Sequence, residues 1–141
     1  MLHKKEKMEK IIVTVELTEN NYAAYIEQLP GCVSTGKTFE ALKSNLQEAI
    51  ESHLEVCREF GDHIPEAFSR EYQLIYHFDL QSLLRHYKGI FTNSALERMT
   101  GINQRQLQHY ASGHSVPQQR QAEKIQKALH KLGNELLVVE L

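Results

Sequence analysis

The strongest constraint on this chain lies between Thr92 and Leu132, where glycines punctuate short amphipathic segments. Asn93-Ser-Ala-Leu-Glu-Arg-Met-Thr100 reads as a short helix broken at Gly101. Asn103-Gln-Arg-Gln-Leu-Gln-His-Tyr-Ala-Ser112 reads as a second helix, closed by Gly113. Thr92 and Asn103 suit the caps, because their side-chain oxygens accept backbone N–H groups that a helix start leaves unpaired. Gly101 tolerates positive φ, so the chain turns within three residues. The second helix would bury Leu107 and Tyr110 or Ala111. Its outward side carries Gln104, Arg105, Gln108 and His109, side chains with the donors and acceptors that read base edges in a major groove. The segment therefore reads as a helix-turn-helix, with Asn93 and Asn103 also on the DNA side. Lys88, Arg98, Arg120 and Lys124 are the cations expected to meet phosphates.

Two short helices around a glycine also occur in plain helical bundles, and the downstream residues bear on the choice. Gly113-His-Ser-Val-Pro117, followed by Ala122, Ile125, Leu129, Leu132 and Gly133, resembles the end of a phage-repressor (Cro-type) helix-turn-helix domain. The resemblance implies that a glycine ends the recognition helix and that a proline opens the next. That next helix then packs an Ile/Leu stripe on the motif. One position departs from the pattern: Glu97 stands where a small alanine is usual. Either the two helices splay, or Glu97 tilts outward and Ala95 supplies the close approach.

Charge divides along the same line. The chain of 141 residues has a net charge of −2. Residues 1–87 hold nine Lys/Arg against fourteen Asp/Glu, and residues 88–141 hold seven against four. The basic part coincides with the helix-turn-helix, as attraction to phosphate requires, and the acidic part suits a basic protein partner. A hydrophobic content of 41% is ordinary for a globular protein. No apolar run is long enough to span a membrane, and Met1–Lys10 carries no apolar stretch of a secretory signal. The expected location is cytoplasmic, where Cys32 and Cys57 are not expected to form a disulfide.

The acidic part has a different periodicity. Lys10–Leu17 alternates, with Ile11, Val13, Val15 and Leu17 on one face and Thr14 and Glu16 on the other. After a turn at Thr18–Asn21, Tyr22–Glu27 places Tyr22, Ala24 and Ile26 on one side. Leu29-Pro-Gly31 is a kinked connection, and Cys32–Thr35 gives a third, short strand. Gly36 leads into a helix capped by Thr38. There Phe39, Leu42, Leu46, Ala49/Ile50, Leu54 (or His53), Cys57 and Phe60 form one apolar stripe, which Gly61 ends. A polar loop with Ile64 and Pro65 precedes a last strand, Tyr72–Phe78, with Tyr72, Leu74, Tyr76 and Phe78 on one face. The order is βββαβ.

Tyr25-Ile-Glu-Gln-Leu-Pro-Gly-Cys-Val-Ser-Thr-Gly-Lys-Thr-Phe-Glu-Ala-Leu-Lys-Ser-Asn-Leu-Gln-Glu-Ala-Ile50 resembles the signature of HicB antitoxins, and Gly61-Asp-His-Ile-Pro65 is similar to that family's Gly-x-x-Ile-Pro segment. The resemblance covers about Ile11–Phe78. Departures occur at Lys37, where the family favours an acid, and at Glu27-Gln28, which replace Pro-Asp. They sit near surface loops and bear on partner specificity. The resemblance implies a truncated ribonuclease-H-like βββαβ domain, often fused to a DNA-binding domain. It also implies that this domain binds and blocks a small basic HicA toxin, which looks like a double-stranded-RNA-binding fold and degrades mRNA with a histidine. The residues agree in sign: an acidic face can occupy a cationic RNA site. Glu40, Glu48, Glu51, Glu55 and Glu59 on the outer face of the long helix are the candidates, against the plainer reading of a solvated helix face.

Chemistry is not expected. Metal-dependent nuclease action needs several converging carboxylates, and only Glu16 and Asp79 lie near strand ends. Asp79 is better placed to cap Leu80–Tyr87, whose stripe is Leu80, Leu83, Leu84 and Tyr87. Among Cys32, His53, Cys57 and His63, the four-residue step from His53 to Cys57 on one helix suits shared zinc ligation, but there is no C-x-x-C pair, and Cys57 continues an apolar stripe. No catalytic residue, cofactor or metal is expected.

The expected class is α+β, with residues 10–78 as the toxin-neutralising domain and residues 79–141 as an all-α helix-turn-helix domain with a C-terminal dimerising strand. That strand is read from Glu135-Leu-Leu-Val-Val-Glu-Leu141, which is apolar on both faces and would pair with its copy in a second chain, the alternative being a strand docked within its own chain on the N-terminal sheet. The function expected is an antitoxin and autorepressor. Its partners are a HicA-like toxin, double-stranded operator DNA and a second copy in a homodimer or higher even oligomer, with no membrane. The alternative is a free-standing transcriptional regulator whose N-terminal domain senses a ligand.

Overall fold

Strand β1 (Glu9–Leu17) alternates in the sequence and in burial, which sets the arrangement of the first unit. The computed structural model describes residues 8–141, so the reading of Met1–Lys7 lies outside the described residues. Strand β2 (Tyr22–Ile26) runs antiparallel to β1, with Val13 opposite Ile26. Strand β3 (Val33–Gly36) pairs antiparallel with β2. The last strand, β4 (Tyr72–Phe78), lies parallel to β1, with Ile11 opposite Leu74 and Val15 opposite Phe78. The sheet order is β3-β2-β1-β4. A parallel neighbour needs a crossover, and helix α1 (Phe39–Phe60) lies in that connection.

Helix α1 starts where Thr38 accepts the Ala41 N–H at 3.0 Å and ends at Gly61 in the left-handed conformation. Its Leu42, Leu46, Ile50 and Leu54 meet Ile11, Val13, Val15, Ala24 and Ile26 in one buried cluster. Each such side chain contributes about 1.5–3 kcal/mol on burial. Gly36 makes the close approach possible, since a Cβ there would stand 2.5 Å from the Leu42 backbone nitrogen.

Two details of this unit differ from the sequence reading. Phe60 was expected to close the apolar stripe but is 73% exposed, and the buried run ends at Cys57. Gly61 turns the chain away there, and an unanticipated 3₁₀ turn (Glu66–Ser69) supplies Phe68 to the core instead. The third strand begins one residue late, and Cys32 is buried just before it.

A second compact unit begins at Asp79, the first ending at Phe78. It holds α2 (Leu80–His86), α3 (Asn93–Thr100), α4 (Gln104–Ser112) and α5 (Gln119–Leu137). Their core is Leu84, Leu96, Ile102, Leu107, Tyr110 and Ile125. The expected C-terminal strand is absent, because α5 runs through Gly133 to Leu137. Gly133 does not adopt positive φ, unlike Gly101 and Gly113. One glycine in a helix interior costs only about 1 kcal/mol. The three- and four-residue spacing of Ile125, Leu129, Leu132 and Leu136 continues across it, and helical periodicity overrides the alternation read from Glu135–Leu141. Together the units form a mixed α+β chain with a four-stranded mixed sheet and five α-helices among the described residues.

Candidate functional site

Helices α3 and α4 are joined by Gly101, Ile102 and Asn103 alone. Gly101 is left-handed at φ 75 and its N–H closes α3 on the Glu97 carbonyl at 2.7 Å. Ile102 is buried beneath the turn. Thr100 braces it, donating its hydroxyl to the Leu96 carbonyl at 2.6 Å and accepting the Ile102 N–H at 3.1 Å. Neither Ile102 nor Thr100 was singled out in the sequence. The signal was an apolar residue inside a three-residue turn, which a solvent-exposed loop has no reason to carry.

The caps fall where the sequence places them. Thr92 accepts the Ala95 N–H at 3.0 Å, and Asn103 accepts the Arg105 N–H at 2.8 Å. The Asn103 side chain is therefore engaged in starting α4. Glu97, the departure from the small-residue pattern, is half-buried, and its carboxylate accepts the Gln104 N–H at 3.3 Å. An anion at the start of α4 faces the positive end of the helix dipole. The side chain thus bridges α3 to the first turn of α4.

Leu107 and Tyr110 are buried as expected, with Ala111 partly so, and Gln104, Arg105 and Gln108 are exposed. Asn93 donates its amide to Gln108 Oε1 at 3.0 Å, tying the two helices across their outer surface. His109 lies against His114, with ring centroids 4.6 Å apart. Lys88, Arg98, Arg120 and Lys124 are all exposed.

Beside this surface the second unit contains a cleft of about 580 Å³. Lys88, Asn93 and Gln108 line it together with Arg85, Tyr87 and Phe91, whereas Arg98, Arg120 and Lys124 do not. Arg85 was not picked out in the sequence because it falls in the acidic part of the chain by count. Its signal is the basic run Arg85-His86-Tyr87-Lys88 directly after an apolar stripe. Burial pushes the His86 imidazole below its ordinary pKa. The folded chain therefore favours the neutral ring, whereas the unfolded chain takes up a proton near pH 6.5. The associated stability is full above that value and declines as pH falls through it toward the lower folded pKa. The second unit's melting temperature is expected to fall between about pH 7 and pH 5, with His86→Phe removing part of that slope in a thermal melt.

In the first unit, Glu40, Glu48, Glu51, Glu55 and Glu59 are all exposed on α1. Their spacing sets Glu48, Glu55 and Glu59 opposite the buried stripe. Glu51 accepts a weak bond from Gln47 at 3.5 Å, and none of the five has an ion-pair partner among the described residues. Together they give the exposed side of α1 an acidic character.

Asp79 caps α2, accepting the Ser82 N–H at 2.7 Å and the Ser82 hydroxyl at 3.0 Å. Glu16 lies exposed on β1. Cys32 and Cys57 are buried free thiols, and burial raises the Cys32 pKa. Among the described residues no three His, Cys, Asp or Glu side chains gather as a metal site, and no helix is long and apolar enough to cross a membrane.

The chain is thus built from two units, a sheet with one long helix and a set of four helices. The profile of the HicB-like antitoxins of bacterial toxin–antitoxin systems matches residues 10–85, more than half of the chain. The chain belongs to that family. It is also 46% identical over 44 residues to a UPF0150 protein of Helicobacter pylori (strain J99 / ATCC 700824). That match covers 31% of this chain and 61% of the relative, so it spans less than two thirds of the relative's length.

Proposed function

We propose that this antitoxin-family chain blocks a HicA-like mRNA-degrading toxin with its first unit and represses its own operon with its second. On this reading it acts by binding, without catalysis. The single observation that carries the proposal is the family match over residues 10–85, which includes the acidic exposed side of α1. We read that sheet-and-helix unit as the truncated ribonuclease-H-like fold implied by the sequence resemblance. The α3–turn–α4 pair supports operator binding, since it offers Gln104, Arg105 and Gln108 on a face whose reverse is buried.

Titrating the chain against its upstream operator and against random duplex tests the DNA half. Arg105→Ala is expected to cost about 1–3 kcal/mol on the operator and to relax sequence preference. Lys88, Arg98, Arg120 or Lys124 replacements should weaken all duplexes alike and flatten the salt dependence. An Arg105→Ala chain that binds operator and random DNA as the parent does contradicts the assignment. Co-expression with the toxin encoded beside it tests the other half, through restored growth.

Operator repression on this reading uses a dimer, and the C-terminal end of α5 is the surface we assign to it. Leu136 is 59% and Val139 57% exposed, and Leu137 and Val138 are more so. Apolar groups left this open gain from pairing with a second copy. A two-fold dimer would set two reading helices at half-sites about 34 Å apart. Deleting residues 135–141 should give a folded monomer with much weaker operator binding. Sedimentation that finds the full chain monomeric at micromolar concentration, or the deletion variant still dimeric, contradicts this.

A further inference from the structure

The cleft of the second unit is larger than contact with a DNA backbone requires. Its volume is about 580 Å³, within the range of small-molecule sites (roughly 300–1,000 Å³). A lone phosphate group would fill only on the order of three waters' volume, ~90 Å³. The lining is also two-sided in chemistry. Leu84 and Phe91 are apolar members of the lining, and the Tyr87 ring lies 5.9 Å from that of Phe91. Arg85 and Lys88 add two cations to the lining, which holds no carboxylate. Neither cation has an ion-pair partner among the described residues. A ring-bearing anion satisfies both halves at once, since aromatic faces hold planar groups and a guanidinium pairs with phosphate or carboxylate oxygens.

We propose that this cleft binds a small aromatic anion, with its ring against Tyr87 and Phe91 and its acidic group at Arg85 and Lys88. Occupancy and DNA binding exclude one another, because the hydrogen-bonded Asn93–Gln108 pair belongs to both the cleft lining and the face assigned to base reading. The bound anion also neutralises charge that would otherwise attract phosphate. The exclusion rests on the DNA-binding reading given above, whereas the site itself does not.

The test uses the full chain labelled for backbone amide NMR, with adenosine monophosphate and indole-3-acetate as aromatic anions. Adenosine and inorganic phosphate serve as half-ligands. Saturable shifts confined to residues 81–96 and 108–112 are expected from at least one aromatic anion. Its affinity should be about tenfold or more above that of either half-ligand, roughly 1.4 kcal/mol. Arg85→Gln and Lys88→Gln, both at exposed positions, should each weaken binding about fivefold or more while leaving the circular dichroism unchanged. At constant ionic strength, the saturating anion should then lower affinity for duplex DNA about tenfold. The site is overturned if neither anion gives saturable shifts, if both variants bind as the parent does, or if inorganic phosphate binds as tightly as the nucleotide. Unchanged DNA affinity with a filled cleft overturns the exclusion alone. A chain that fills its cleft but binds no duplex overturns the DNA reading and, with it, the exclusion, while upholding the site.

Discussion

Leu107→Ala is expected to unfold the second unit and leave the first intact. Leu107 is 1% exposed in a core it shares with Leu84, Leu96, Ile102, Tyr110 and Ile125. Truncating a buried leucine costs about 2–5 kcal/mol, from lost transfer free energy and the cavity left behind. A unit of the size of residues 79–141 has a total stability of about 3–9 kcal/mol at ordinary values per residue. The loss is therefore a large fraction of what holds the unit together. The first unit has its own buried cluster around Ile11, Leu46 and Ile50 and should keep its transition. Circular dichroism melts should show the second unit's transition lost or moved far down. DNA binding should vanish while toxin neutralisation persists. Gln104→Ala, at an exposed position on the same helix, is the control that should leave the melt unchanged. A single cooperative transition that shifts as a whole would contradict the division into two independently stable units.

The second large effect lies on α1. Reversing Glu51, Glu55 and Glu59 to lysine turns a strip of three negative charges into three positive ones. An exposed ion pair contributes up to about 1 kcal/mol, and like charges in its place repel by a similar amount. Three reversals against a basic partner should cost on the order of 3 kcal/mol or more, about a hundredfold or greater loss in affinity. All three residues are exposed, so folding should be unaffected. Calorimetric titration against the toxin checks this, and the loss should shrink as salt rises. Affinity that is the same for the reversed and parent chains would place the toxin on another face.

What the sequence disclosed was mostly what is set by local interactions. The alternation of Ile11, Val13 and Val15 fixes which face of β1 is buried, because side chains alternate across a strand whatever lies beyond it. Thr38, Thr92, Asn103, Gly61, Gly101 and Gly113 mark helix ends through hydrogen bonds within a few residues. The misreadings arise where distant packing decides. Phe60 has the right spacing for the α1 stripe, but Phe68, eight residues on, takes the place in the core. Gly133 looks like Gly101 in the sequence, yet it lies inside α5, and only the spacing from Ile125 to Leu136 distinguishes the two. The bond from Gln104 N–H to the Glu97 carboxylate joins residues seven apart on different helices. The cleft needs α2, α3 and α4 together, so no single segment announces it.

On the proposed function, the acidic first unit silences a basic RNA-degrading partner by covering its active surface. This is tested most directly by the rate at which a HicA-like toxin cleaves RNA in the presence of residues 8–78 alone. Cleavage is expected to stop at about one fragment per toxin and to return when Glu51, Glu55 and Glu59 carry the lysine reversals. Cleavage that continues at full rate with a folded fragment in molar excess would contradict it.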